Sequence, residues 1–138
     1  MVAKNNQSIH NKRVILIIEP DKDVAAIFAH YLERAEHLCV ELAHSAEEAI
    51  RRADKKRPDA VVLELAMSEN NGVAFLHEFR SDEDWQSVPV IIQTHLPIRK
   101  YIGQKDFAQL NIADYLYKPT TSLADLLRSL NRVLGNSV

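Results

Sequence analysis

The stretch Pro58-Asp59-Ala60-Val61-Val62-Leu63-Glu64-Leu65 decides the fold. After Asp59 it is apolar up to a single carboxylate, that of Glu64. A short, continuous apolar run is typical of a parallel strand that is covered on both faces. Open α/β sheets place their chemistry at the carboxyl ends of such strands, so Glu64 is the first candidate functional residue.

Other apolar runs predict four more strands, near residues 14–18, 39–43, 88–94 and 113–117. Amphipathic stretches between and after them predict five helices, the weakest over residues 96–110. Asp21 or Glu19 is expected to cap the first helix and Thr121 or Ser122 the last, while Ser45 and Glu48 have capping-box spacing. The apolar stripe of the first helix consists of Val24, Ile27, Phe28, Tyr31, Leu32 and Ala35.

Strand and helix therefore alternate along the chain. Crossover connections of this length predict a parallel sheet with right-handed connections and helices on both faces. We expect an α/β domain with a doubly wound, five-stranded parallel sheet and five helices over residues 13–135. Residues 1–12 are expected to form a flexible N-terminal arm and residues 136–138 a C-terminal tail.

Composition excludes several classes of protein. The net charge of −2 gives no general attraction to nucleic acid or anionic lipid, and the basic run over residues 51–57 is best interpreted as a solvated helix face. The single cysteine, Cys39, rules out a disulfide framework. No signal-peptide pattern and no apolar run of about 20 residues is present. We expect a cytoplasmic protein that binds neither nucleic acid nor membrane.

Polar residues follow or end four of the predicted strands. Glu19 follows the first, Glu64 ends the third, Thr94 ends the fourth and Lys118 follows the fifth. Because the carboxyl ends of parallel strands meet at one edge of a sheet, we expect these four side chains to share a pocket.

The order and spacing of four segments resemble the receiver domain of two-component response regulators. The resemblance covers Val14 to about Leu134. Its segments are Ile15-Leu16-Ile17-Ile18-Glu19, the stretch Pro58 to Leu65 with Asn71-Gly72, Val88-Pro89-Val90-Ile91-Ile92-Gln93-Thr94, and Ala113-Asp114-Tyr115-Leu116-Tyr117-Lys118-Pro119.

The resemblance implies a flavodoxin-like fold with strand order 2-1-3-4-5. In that family two adjacent acids after the first strand hold Mg²⁺, and an aspartate that ends the third strand accepts a phosphoryl group from a histidine kinase. Glu19 matches the first acid, and Thr94 and Lys118 match the hydroxyl and the lysine that bind the phosphoryl oxygens. Tyr115 matches the aromatic residue that turns inward on activation, and the Lys118–Pro119 peptide is expected to be cis.

Two residues depart from this pattern. Pro20 stands where the second acid is expected and offers no side-chain oxygen, so Mg²⁺ binding is expected to be weak or absent. Glu64 stands where the acceptor aspartate is expected and is longer by one C–C bond, roughly 1.5 Å. That places its carboxylate about where an aspartyl phosphate would begin. The chain therefore resembles an atypical receiver, a pseudo-receiver without the acceptor aspartate.

The resemblance also implies a surface for partners. The fourth predicted helix, the fifth strand and the fifth helix form the face through which the family contacts other proteins, a histidine kinase or an output partner. Homodimerisation is a further possibility. The residues of this chain expected there are Ile98, Tyr101, Tyr115, Tyr117 and Pro119. His95, which follows Thr94, is either a proton-sensitive lid over the pocket or a tolerated bulky residue.

Three functions remain open from the sequence. The first is a non-enzymatic signalling module in which Glu64, held by Thr94 and Lys118, imitates the phosphorylated state. The second is a working receiver that is phosphorylated with unusual ligands. The third is a flavodoxin-like enzyme or flavin binder, but the segment Glu19-Pro20-Asp21-Lys22-Asp23 lacks the Ser, Thr or Gly residues of a phosphate loop.

Overall fold

The computed structural model describes residues 12–68, 71–97 and 109–135. It contains five strands: β1 (Arg13–Ile18), β2 (Leu38–Ala43), β3 (Ala60–Leu63), β4 (Val90–Thr94) and β5 (Asp114–Tyr117). Within the described residues four helices alternate with them: α1 (Lys22–Glu33), α2 (Ala46–Lys55), α3 (Asn71–Ser81) and α4 (Leu123–Val133). Short 3-10 turns occupy Glu83–Trp85 and Lys118–Thr120. Most of the helix predicted over residues 96–110 lies outside the described residues.

The sheet is parallel throughout, and its strand order is β2-β1-β3-β4-β5. This confirms the predicted α/β architecture and the order 2-1-3-4-5. Ile18 of β1 is paired with Leu63 of β3, and Leu63 is paired with Ile92 of β4. The carboxyl ends of β1 and β3 are therefore level with each other, and β4 continues past them to Thr94 at the same edge of the sheet.

Two apolar layers cover the sheet because its strands alternate their side chains between its faces. On one face Leu16, Ile18, Leu63 and Ile92 pack with the buried residues of α2 and α3. On the other face residues such as Ile17 pack under α1 and α4. Burial on both faces explains why the strand sequences are continuous apolar runs.

Side-chain caps define where three helices begin. Asp21, not Glu19, caps α1 by accepting from the amides of Asp23 at 2.9 Å and Val24 at 3.1 Å. Ser122 caps α4 in a complete capping box with Asp125. Ser45 caps α2 by accepting from the amide of Glu48, but the capping box is not completed, because the Glu48 carboxylate accepts from the amide of His44. The caps fix the loops that leave the carboxyl edge of the sheet.

One residue of the predicted stripe on α1 is not buried. Ile27 is 56% exposed, although Phe28 and Leu32 of the same helix lie in the core. Ile27 instead borders a groove of about 580 Å³ between α1 and the start of α4. The apolar stripe predicted for the first helix is therefore not buried along its whole width, because it extends beyond the part of the helix that contacts the sheet.

Close packing positions the loop that follows Glu64. A Cβ atom added to Gly72 would lie 2.7 Å from both Cα and O of Leu65. Only glycine allows the start of α3 to approach the chain so closely at this point. The segment just after Glu64 is thereby held against α3.

The guanidinium group of Arg80 ties α3 to the loop that leads into β5. It donates hydrogen bonds to the carbonyl oxygens of Trp85 at 2.9 Å, Val88 at 2.8 Å and Leu110 at 2.8 Å. The bond to Leu110 joins segments that are distant in the sequence and supports the approach to β5, the strand that precedes Lys118.

Among the helices that the structure describes, none is long and apolar enough to cross a membrane.

Candidate functional site

Glu19 and Glu64 lie side by side just beyond β1 and β3. The amide of Glu64 donates to the carbonyl of Ile18 at 3.0 Å, and the amide of Glu19 donates to the carbonyl of Ala43 at 2.9 Å, so the backbone ladder continues past each strand. Both carboxylates are buried, with only 3% of Glu19 and 2% of Glu64 exposed. A buried carboxylate is strongly destabilising unless it is paired, so the partners of these two acids define the site.

Lys118 and Thr94 are the side chains that pair with these acids. The Nζ of Lys118 donates to Glu64 Oε1 at 2.8 Å and also to Glu19 Oε1. The hydroxyl of Thr94, at the end of β4, donates to Glu64 Oε2. The structure thus brings together all four residues that the strand ends place at this edge: Glu19, Glu64, Thr94 and Lys118.

Three contacts of the site were not predicted from the sequence. The backbone amide of Ala66 donates to Glu64 Oε2 at 2.8 Å, and Nδ1 of His95 lies 3.1 Å from Glu64 Oε1. The third is the contact between Lys118 and Glu19, two residues that the resemblance assigns to separate tasks. An amide donor leaves no side-chain signal in a sequence. For His95, a position over the pocket was one of two alternatives, but its contact with Glu64 was not predicted.

The contacts of Glu64 keep its carboxylate ionised. Burial raises the pKa of Glu64, but the Ala66 amide, the Lys118 ammonium and the Thr94 hydroxyl outweigh burial, and the pKa lies below its usual range. Burial lowers the pKa of Lys118, yet its bonds to Glu19 and Glu64 outweigh that effect and raise it above the ordinary value. Both groups are therefore charged at neutral pH, as a strong ion pair requires.

The residues present do not fit the Mg²⁺ that the resemblance implies. Mg²⁺ needs several oxygen ligands in octahedral geometry, but Lys118 already bridges the two buried carboxylates. Pro20 adds no side-chain oxygen, and Oδ1 of Asp21 is engaged by the amides that it caps. Among the described residues there is no group of three or more His, Cys, Asp or Glu side chains that could hold a metal.

The predicted cis peptide between Lys118 and Pro119 is wrong. No cis bond occurs in the part of the chain that the structure describes, which includes both residues. The trans form of such a bond is favoured by about 0.5–1 kcal/mol. Here Pro119 lies in the first turn of the Lys118–Thr120 3-10 helix, where the φ angle that its ring fixes is compatible with the helical backbone. Lys118 reaches both carboxylates with the trans bond.

The predicted partner face is described in part. Tyr115 on β5 is half-buried and packs against the core layer under α2 and α3, and burial raises its pKa. Tyr117 is 42% exposed, and Pro119 is exposed in the turn that follows. Ile98 and Tyr101 lie outside the described residues. The described aromatic residues thus include one turned toward the core and one toward solvent.

Comparison with known proteins identifies relatives of this chain. The model of the response regulator receiver domain family matches residues 15–131. Hybrid signal transduction histidine kinase D of Dictyostelium discoideum is 25% identical over 133 residues, which cover 93% of this chain but 8% of that protein. Transcriptional regulatory protein PrrA of Mycobacterium leprae is 31% identical over 121 residues, 87% of this chain and 49% of that protein. The chain thus spans less than half the length of these relatives.

A solved structure shows the same fold. The crystal structure of a sensor protein from Polaromonas sp. JS666 superimposes with a TM-score of 0.80 at 23% sequence identity. The superposition covers 89% of this chain and 96% of that one.

Proposed function

Because the chain belongs to the family of response regulator receiver domains, we propose that it is a signalling module that acts through protein contacts without accepting a phosphoryl group. The membership places it in two-component signal transduction. That the chain does not accept a phosphoryl group is our inference from the site. In this proposal the chain has no enzymatic activity.

The single observation that carries the proposal is the way Glu64 is held. Its carboxylate accepts from Lys118 at 2.8 Å, from the Ala66 amide at 2.8 Å and from the Thr94 hydroxyl. A nucleophile with both oxygens engaged by donors is poorly placed for in-line attack, where small errors of geometry are costly. Shortening the side chain would withdraw the carboxylate from these donors, so the site suits glutamate.

The same contacts make Glu64 a partial, permanent substitute for a phosphorylated acceptor. A carboxylate carries one negative charge, whereas a phosphoryl group carries about 1.5 to 2. Lys118 and Thr94 are the residues that the family uses for phosphoryl oxygens, and here they bind the carboxylate instead. We infer that the pocket is held in one state, and the half-buried position of Tyr115 is consistent with an activated arrangement.

The proposed readout is the surface around β5 and the helices beside it. Tyr117 and Pro119 are exposed there and follow directly on the strand that delivers Lys118. The partner that we propose for this face is a histidine kinase, an output protein or a second copy of the chain. A pocket that is held in one state would present the face continuously, without a phosphorylation signal.

The experiment that tests this proposal is incubation with acetyl phosphate and Mg²⁺, followed by intact mass spectrometry. We expect no added phosphoryl group on the wild-type chain, because Glu64 is engaged and the metal site does not fit. A phosphoryl adduct that peptide mapping places on residue 64 would contradict the proposal. That result would support the second function, a working receiver with unusual ligands.

A further inference from the structure

We propose that the ammonium group of Lys118 is the permanent cation of this pocket, bridging Glu19 and Glu64 in the place where a divalent ion would be needed. The inference extends the proposed function. Its test measures cation binding and folding, not phosphoryl transfer, so that either proposal can fail without the other.

The geometry of Lys118 is that of a bridging cation. Its Nζ is bonded to one oxygen of each acid, Oε1 of Glu19 and Oε1 of Glu64. The lysine side chain is 20% exposed, whereas the two acids are almost completely buried. One tethered positive charge thus pairs with two carboxylates that are almost completely buried.

The remaining oxygens of both acids are already engaged. Glu64 Oε2 accepts from Thr94 and from the Ala66 amide, and Glu19 Oε2 accepts from the amide of Asp21 at 3.0 Å. A divalent ion that bound Oε1 of either acid would compete with the Lys118 ammonium for that oxygen. Lys118 therefore weakens the binding of a divalent ion between these two acids.

The charge of the pocket supports this assignment. The Lys118 ammonium offsets part of the negative charge that the two acids bring to this buried cluster, and so lowers the attraction of the pocket for a divalent ion. The start of α1 lies beside Glu19, and helix N-termini stabilise negative charge. Unlike a bound metal, a lysine cannot dissociate, so the state of the pocket should not depend on the concentration of divalent ions.

The test compares wild type with Lys118→Met in EDTA and in Mg²⁺ or Mn²⁺. Thermal unfolding is followed by the fluorescence of Trp85, the single tryptophan, which is buried. Wild type should change in Tm by less than about 1 °C in about 10 mM of either ion, since no ion binds. For Lys118→Met the same concentration of Mn²⁺ should raise Tm by roughly 3 °C or more above its value in EDTA, because carboxylate sites suit Mn²⁺.

Two further variants make the result specific. Adding Glu19→Gln to Lys118→Met should abolish the response to Mn²⁺, because only one carboxylate remains. Lys56→Met, which removes an exposed lysine at the end of α2, should behave as wild type. If Lys118→Met folds only when Mn²⁺ is present, the proposal is supported. It is overturned if the ions stabilise wild type by several degrees, or if Lys118→Met neither folds with them nor responds to them.

Discussion

Replacing Lys118 with methionine should lower the free energy of unfolding at pH 7 by about 3–5 kcal/mol, as expected when one member of a buried ion pair is removed. Methionine keeps much of the volume of lysine but leaves the carboxylates of Glu19 and Glu64 without their shared cation. Urea unfolding followed by Trp85 fluorescence would measure the loss. Lys56→Met should cost no more than about 0.5 kcal/mol, as is usual at an exposed site.

The same variant should show a changed pH dependence. The pKa of Glu64 is lowered in the folded protein, so its ionised form stabilises wild type above the usual pKa of a glutamic acid, and this contribution is lost as pH falls through the lowered pKa. The pKa of Lys118 is raised, so its contribution is complete below the usual pKa of lysine and is lost only in stronger alkali. The deficit of Lys118→Met should therefore be largest between about pH 6 and pH 9 and should shrink toward pH 4. A deficit that is equal at pH 7 and pH 4 would show that the lost interaction is not ionic.

Combining Glu64→Asp with Pro20→Asp should convert the pocket into a phosphoryl acceptor. Aspartate is shorter by roughly 1.5 Å, which withdraws the carboxylate from Lys118 and Thr94, and the second substitution supplies the missing acid beside Glu19. We expect Mg²⁺ affinity to rise about tenfold or more, since an additional carboxylate joins the site. After treatment with acetyl phosphate the double variant should carry one added phosphoryl group, in contrast to wild type.

A matched control separates metal binding from acceptance of the phosphoryl group. Glu64→Asn with Pro20→Asp keeps the new acid at position 20 but has no carboxylate at position 64, so it should remain unlabelled. The double variant with Glu64→Asp and Pro20→Asp could neither bind more Mg²⁺ nor become labelled. In that case, the length of Glu64 and the missing acid at position 20 would not explain why wild type is not phosphorylated.

Much of the fold could be predicted because burial leaves a direct signal in this sequence. The run from Ala60 to Leu63 is apolar because both faces of β3 are covered. Alternation of strands and helices then predicts a parallel sheet, but the strand order came from the resemblance, since apolar patterns do not say which strands are neighbours. Ser122 was one of the two caps predicted for the last helix, because a serine side-chain oxygen can accept from a backbone amide in the first turn of the helix.

Other features could not be predicted because they depend on tertiary contacts. Ile27 has the spacing of a core residue, yet it lies beyond the contact between α1 and the sheet. The hydrogen bond from Arg80 to the carbonyl oxygen of Leu110 joins α3 to a loop that only the folded chain brings near. The Lys118–Pro119 peptide was expected to be cis from the resemblance, whereas the local 3-10 turn accommodates the trans bond.

The candidate site was also predicted only in part. The positions of Glu19, Glu64, Thr94 and Lys118 at strand ends predicted that they meet, because parallel strands place their carboxyl ends at one edge. The sequence did not show that Lys118 reaches Glu19 as well as Glu64, since this depends on side-chain conformation at the start of a turn. That second contact is the basis for assigning Lys118 as the cation of the pocket.

The central claim is that Glu64 is a permanently charged carboxylate held by Lys118, Thr94 and the Ala66 amide. It is tested most directly by titrating the Glu64 side-chain carboxyl carbon by ¹³C NMR, with the signal assigned from Glu64→Gln. We predict a pKa below that of an ordinary glutamic acid, and a partial return toward the ordinary value in Thr94→Val, which removes one donor. A wild-type pKa at or above the ordinary value would show that these donors do not hold the carboxylate, and would contradict the account.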